Sequence, residues 1–140
     1  MKKVIHKYRV MLCIILFLAA SFFWWTAPRN CLSARQAEEI SYIEIAYGTN
    51  GEMRKIDDKE QINLIVDALI GTKIQKRKLS IGYAGTGVCL VFFDTKQKEI
   101  ERFFINSGTT LRKDPFFYRD TTGELEICYQ YLMEIAPTVR

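Results

Sequence analysis

Val10 to Trp25 reads VMLCIILFLAASFFWW, with one hydroxyl and no charge. Extended through Thr26 and Ala27 the run has 18 residues, or ~27 Å of helix at ~1.5 Å per residue, close to a hydrocarbon core of ~30 Å. A segment apolar on every side has no wet face to offer, so it belongs in lipid rather than on the surface of a soluble fold. Lys2, Lys3, Lys7 and Arg9 precede it, and the bias of cytoplasmic flanks toward Lys and Arg predicts a cytoplasmic tail over 1–9 and a transmembrane helix over 10–27. A polar linker over 28–39 and an extracytoplasmic domain over 40–140 follow. Trp24 and Trp25 then fall at the outer interface, where indoles settle. The competing expectation is a cleaved signal peptide, with Val10–Leu18 as its apolar region and Ala19-Ala20-Ser21 at the cleavage positions. The apolar run continues past that site through Phe22–Trp25, which favours a retained single-pass anchor in the cell membrane over a secreted product. Cys31 follows Pro28-Arg29-Asn30, which does not fit lipoprotein processing.

Charge sorts the same way. The four basic residues of the tail account for the whole formal charge of +4, and every Asp and Glu lies beyond residue 37. The remainder is balanced, so no bulk attraction to nucleic acid is expected. The single histidine is His6, leaving the outer domain without the commonest general base and metal ligand. There is no CxxC pair, so no metal and no cofactor are expected. The carboxylates Asp57, Asp58, Asp94, Glu99 and Glu101 have local roles in helix caps, a turn and the solvent side of a strand. Lys78 and Ser80 form the one conceivable Ser–Lys device, at a spacing that is a frequent accident on a strand. The domain is therefore expected not to be an enzyme.

Periodicity outlines an α+β domain. Ile43, Ile45 and Tyr47 alternate with polar neighbours, and Met53–Ile56 resumes after Gly48-Thr49-Asn50-Gly51, predicting a β-hairpin over 41–57. Asp57 with Glu60 resembles a capping box, and Ile62, Ile65, Val66, Leu69 and Ile70 recur at helical spacing up to Gly71. Val88–Phe93 and Ile100–Asn106 read as strands around a polar turn, with shorter strands Thr109–Arg112 and Phe116–Arg119 flanking Asp114-Pro115. Thr121 with Glu124 suggests a second capping box, and Leu125, Cys128, Tyr129, Leu132 and Ala136 carry a last helix toward Pro137. Short connections predict an antiparallel sheet with two helices packed on one face.

The apolar run together with LSIGYAGTGVCLVFFD (79–94) and TTLRKDPFFY (109–118) resembles small membrane-anchored extracytoplasmic domains of Gram-positive bacteria that lack an assigned function. The resemblance implies an envelope location and a sheet-plus-helices fold, and it transfers no catalytic residue.

Three stretches are candidates for contact with other molecules. LRKDPFFY (111–118) places three aromatics in succession, and alternation along a strand cannot turn them all to one core. Arg112, Lys113, Phe116, Phe117 and Tyr118, with Tyr83, are therefore the candidate binding residues, since aromatic and Arg groups make hot spots. The counter-reading puts Phe116 and Tyr118 in the core and Phe117 beneath the last helix. Gly82, Gly85 and Gly87 suggest a flexible connection rather than a phosphate loop, because they lead into a strand. Lys76, Arg77 and Lys78 are candidates for an anionic surface, lipid or wall polymer, against the plainer reading of a solvated edge strand. Cys89 and Cys128 are the candidate disulfide, against two free buried thiols. The expected function is binding of an envelope protein or peptide; the alternatives are a sensor of a small ligand or cell-wall polymer, with an enclosed pocket near Tyr83, and an enzyme. Oligomeric state is left open.

Overall fold

The computed structural model describes residues 2–49 and 51–137, with side chains from residue 6 onward. It is an α+β fold: an apolar helix followed by a domain built on one eight-stranded antiparallel sheet. Helix α1 (Lys2–Thr26) contains a 21-residue stretch, His6–Thr26, with a mean hydropathy of 1.8 and none of its apolar window buried against the rest of the chain. At ~1.5 Å per residue that is ~31 Å, long and apolar enough to cross a membrane.

Residues 28–39, expected as a linker, are folded into the domain. Strand β1 (Arg29–Asn30) begins two residues beyond α1 and pairs antiparallel with β4 (Lys73–Leu79), Arg29 opposite Ile74 and Asn30 opposite Lys73. Cys31 donates its N–H to the Thr72 carbonyl at 2.9 Å, and Leu32 is completely buried. Helix α2 (Ala34–Glu39) follows, opened by a capping box in which Ser33 Oγ accepts from the Gln36 N–H and the Gln36 side chain accepts from the Ser33 N–H. The composition is polar, but Cys31 and Leu32 are the two apolar residues that tie the segment down.

Strands β2 (Tyr42–Tyr47) and β3 (Met53–Ile56) form the expected hairpin, with Ile43 opposite Ile56; Asn50 of its turn lies outside the described residues. Strands β5 (Val88–Phe93), β6 (Glu99–Ser107), β7 (Thr110–Lys113) and β8 (Phe116–Asp120) make a meander, giving the order β1-β4-β8-β7-β6-β5-β2-β3. The β5–β6 turn is held by Asp94, whose carboxylate accepts from the N–H groups of Lys96 and Lys98, both at 2.8 Å. Alternate residues of these strands, among them Ile43, Ile45, Leu90, Phe92, Phe103, Ile105 and Leu111, share one core with the helices. Helix α3 (Lys59–Gly71) adds Ile62, Ile65, Val66, Ala68 and Leu69, and α4 (Glu124–Glu134) adds Leu125, Cys128 and Leu132.

Both helix starts differ from expectation. Asp58, not Asp57, caps α3, accepting the Gln61 N–H at 3.0 Å. The Thr121–Glu124 box is not made: Gly123 sits at the N-cap of α4 with φ +86°, and the carboxylate of Asp120 substitutes for it. One oxygen accepts from the Thr122 N–H (2.8 Å) and hydroxyl (2.7 Å), the other from the Leu125 N–H (3.0 Å). With α2, the described residues hold four helices rather than the three expected. Burial works against the Asp120 charge, but the hydrogen bonds from Thr122, Leu125 and Gly123 prevail and hold its pKa below the usual value. The stability this contributes is present above the unfolded Asp value of about 3.9 and is lost as pH falls through the lower folded value. Asp120→Asn is expected to cost about 1–2 kcal/mol at pH 7 and to flatten the acid limb of a stability-against-pH curve measured by urea unfolding. An unaltered acid limb would show that Asp120 is not the linked group.

One connection shapes the other face of the sheet. Strands β4 and β5 lie four places apart and run in the same direction. The chain leaving Leu79 therefore travels about 19 Å sideways at ~4.8 Å per strand step. Residues 80–87 make that crossing as an irregular strap over the face opposite the core, with Gly82 at φ +78°.

Candidate functional site

The strap is pinned at its middle. Tyr83 meets Phe117 edge to face at 4.9 Å between centroids, and its carbonyl accepts from Arg112 Nη1 at 3.3 Å. The Arg112 guanidinium lies 4.0 Å from the Phe104 ring centroid and 5.5 Å from that of Tyr83, an arrangement worth more where water is excluded. Arg112 is only 8% exposed; its Nε lies 3.4 Å from Asp114 Oδ1 without forming a hydrogen bond. Asp114 in turn accepts from Ser80 Oγ at 2.7 Å, fixing the start of the strap. The Ser80 hydroxyl is thus committed to Asp114, and Lys78 Nζ lies over Phe117 at 5.4 Å. Gly85 passes beneath the Tyr83 ring, where a Cβ would come within 2.0 Å of it.

Between the strap and strands β4, β8 and β7 lies a cleft of about 550 Å³. Tyr83 and Phe117 supply its aromatic walls, Ser107 and Thr110 hydroxyls, and Arg77, Lys78 and Arg119 positive charge. Among the described residues none of these three cations has an acidic partner. Asn106 also lines the cleft, and both its amide N and O are buried without a hydrogen-bond partner. An unmatched amide of this kind costs about 1–3 kcal/mol.

The structure divides the candidate residues by strand parity. Arg112, Phe117 and Tyr83 gather on the strap side, where Arg112 and Phe117 are buried and Tyr83 is part of their cover. Phe117 is therefore covered by the strap and not by the last helix. Lys113, Phe116 and Tyr118 turn the other way. Lys113 is ion-paired with Glu101, which also accepts from Gln36 of α2 at 3.3 Å. Glu101 was expected on the solvent side, but its side chain is 12% exposed, because a register shift between Phe92 and Phe93 separates its direction from that of Glu99. Tyr118 packs against the core. Phe116 meets Trp25 of α1 at 6.1 Å.

The basic trio is divided too. A register shift between Lys76 and Leu79 brings Arg77 and Lys78 to the cleft, while Lys76 lies over the rings of Trp25 (3.5 Å) and Phe116 (4.3 Å). Cys89 and Cys128 are free and sit on opposite faces, Cys89 between the core residues Val88 and Leu90 and therefore directed away from α4. A bridge would have to pass through the sheet, so the candidate disulfide is not formed. Burial pushes the Cys128 thiol up to about 12, and burial, aided by neighbouring Cys128, does the same to Cys31. Both are then poor nucleophiles at neutral pH. Among the described residues no three His, Cys, Asp or Glu side chains come together in a way that would hold a metal.

Asn106, Ser107, Thr110 and Arg119 were not singled out from sequence. The available signal was the hairpin around Asp114-Pro115, whose register puts Thr110 opposite Arg119 and Arg112 opposite Phe117. Comparison of the chain with protein-family models, with curated proteins and with solved structures finds no match.

Proposed function

We propose that the chain is a single-pass envelope protein whose extracytoplasmic domain, with α3 and α4 on one face of its sheet, uses the cleft on the other to bind an acidic segment of another envelope protein. The observation that carries this reading is the set of three cations, Arg77, Lys78 and Arg119, which among the described residues have no acidic partner, around aromatic walls in a cleft of about 550 Å³. Charge of one sign in a concave site concentrates an oppositely charged partner and speeds its arrival. The Asn106 amide adds one donor and one acceptor, the pattern a peptide group matches. Nothing in this reading calls for bond-making chemistry, and the chain is proposed as a binding module rather than an enzyme.

The test places a photo-crosslinking residue at Thr110 in intact cells and compares the natural chain with Arg77→Glu/Lys78→Glu/Arg119→Glu. Capture of a protein that falls at least about tenfold in the charge-reversed variant supports the proposal, since opposed like charges cost several kcal/mol. Capture independent of the three charges overturns it. Capture of a wall polymer alone transfers the site to the sensor reading.

A further inference from the structure

The corner where α1 enters the domain carries a second set of groups. Only Ala27 and Pro28 separate the end of α1 from β1, and two residues span no more than ~7 Å. Because β1 runs antiparallel to β4, tracing back from Arg29 moves toward the Leu79 end of that strand. Gln75 Nε2 accordingly donates to the Thr26 carbonyl at 3.1 Å, and Trp25 reaches Phe116, the partner of Leu79. The indoles that mark the outer membrane interface thus stand level with the far half of β4. Leu79, paired with Phe116, and Ile81, two residues further along the chain, are 59% and 78% exposed. Arg29 lies over Trp24 at 5.6 Å and Lys76 over Trp25, and among the described residues neither cation has an acidic partner. Desolvation, with repulsion from Arg29, lowers the Lys76 pKa.

We propose that Arg29 and Lys76 bind the phosphates of anionic phospholipid headgroups while Leu79 and Ile81 enter the interface beside Trp24 and Trp25, seating the β4 end of the domain on the outer leaflet. This rests on α1 being a membrane anchor. Indoles and aliphatic side chains partition to this depth, and basic residues beside a span are drawn to anionic lipid.

The test uses the full chain in lipid nanodiscs, with an environment-sensitive fluorophore on Ile81→Cys or, as a distal control, Thr49→Cys. Cys13 and Cys89 are replaced by Ser; the buried Cys31 and Cys128 thiols do not label at neutral pH. Spin-labelled lipid is expected to quench position 81 and not 49 in discs of phosphatidylcholine with phosphatidylglycerol. Omitting phosphatidylglycerol, or introducing Arg29→Gln/Lys76→Gln, is expected to lower the docking equilibrium about tenfold. Equal quenching at both positions, or quenching at 81 indifferent to lipid charge and to both substitutions, overturns the proposal. A chain that does not co-migrate with the discs overturns the anchor and the docking with it; one that co-migrates without quenching at 81 overturns the docking alone.

Discussion

A chain beginning at Ser41 is expected to be far less stable than one beginning at Pro28, although the residues removed are mostly polar. The loss includes β1, which covers the start of β4, and the two side chains Cys31 and Leu32, 5% and 0% exposed in the core. Leu32→Ala alone is expected to cost about 2–5 kcal/mol, and removal of the whole segment more. A domain of this size has about 5–15 kcal/mol in total, so the shortened chain should be largely unfolded or close to it. Urea unfolding of the two chains measures the difference, and equal midpoints would mean that residues 28–40 are a spacer after all. The full-length Leu32→Ala variant isolates the packing contribution from the loss of strand pairing.

The second large effect is expected at Arg112. Its guanidinium touches the strap, the sheet and the hairpin tip together, through Tyr83, Phe104 and Asp114. Arg112→Ala is expected to cost about 2–4 kcal/mol, combining the lost contacts with the Phe104 and Tyr83 rings, the lost hydrogen bond to the Tyr83 carbonyl and the cavity left behind. Hydrogen exchange should locate the loss: amides of residues 81–86 approach the free rate while those of β5 and β6 stay protected. Binding in the cleft should fall as well, since Tyr83 forms one wall, although Arg112 does not line it. A variant that keeps a protected strap would show that Tyr83 and Phe117 hold it unaided.

These two residues mark where sequence reading succeeds and fails. The alternation of Ile43, Ile45 and Tyr47 and the helical spacing of Ile62 to Leu69 report burial directly, and β2 and α3 lie where they predict. Residues 111–118 were legible as an unusual aromatic run that must split between two faces, and they do split. What covered the second face was not legible, because it depends on β4 and β5 being four places apart in the sheet, a non-local fact. An Arg beside three aromatics therefore read as an exposed hot spot when it is an internal fastening. Leu32 was overlooked for the opposite reason: one apolar residue in a polar stretch carries no period, yet a single buried side chain suffices to dock a short segment. The cleft cations Arg77 and Lys78 were found as a run, but their parting from Lys76 came from a register irregularity that no residue pattern announces.

The two-residue junction between α1 and β1 has a geometric consequence. With only Ala27 and Pro28 between them, rotation of α1 about its own axis is passed on to the sheet domain. One added residue near the end of α1 would swing the cleft through about 100°. The compass bearing of the cleft is therefore tied to which face of α1 is turned toward any neighbour.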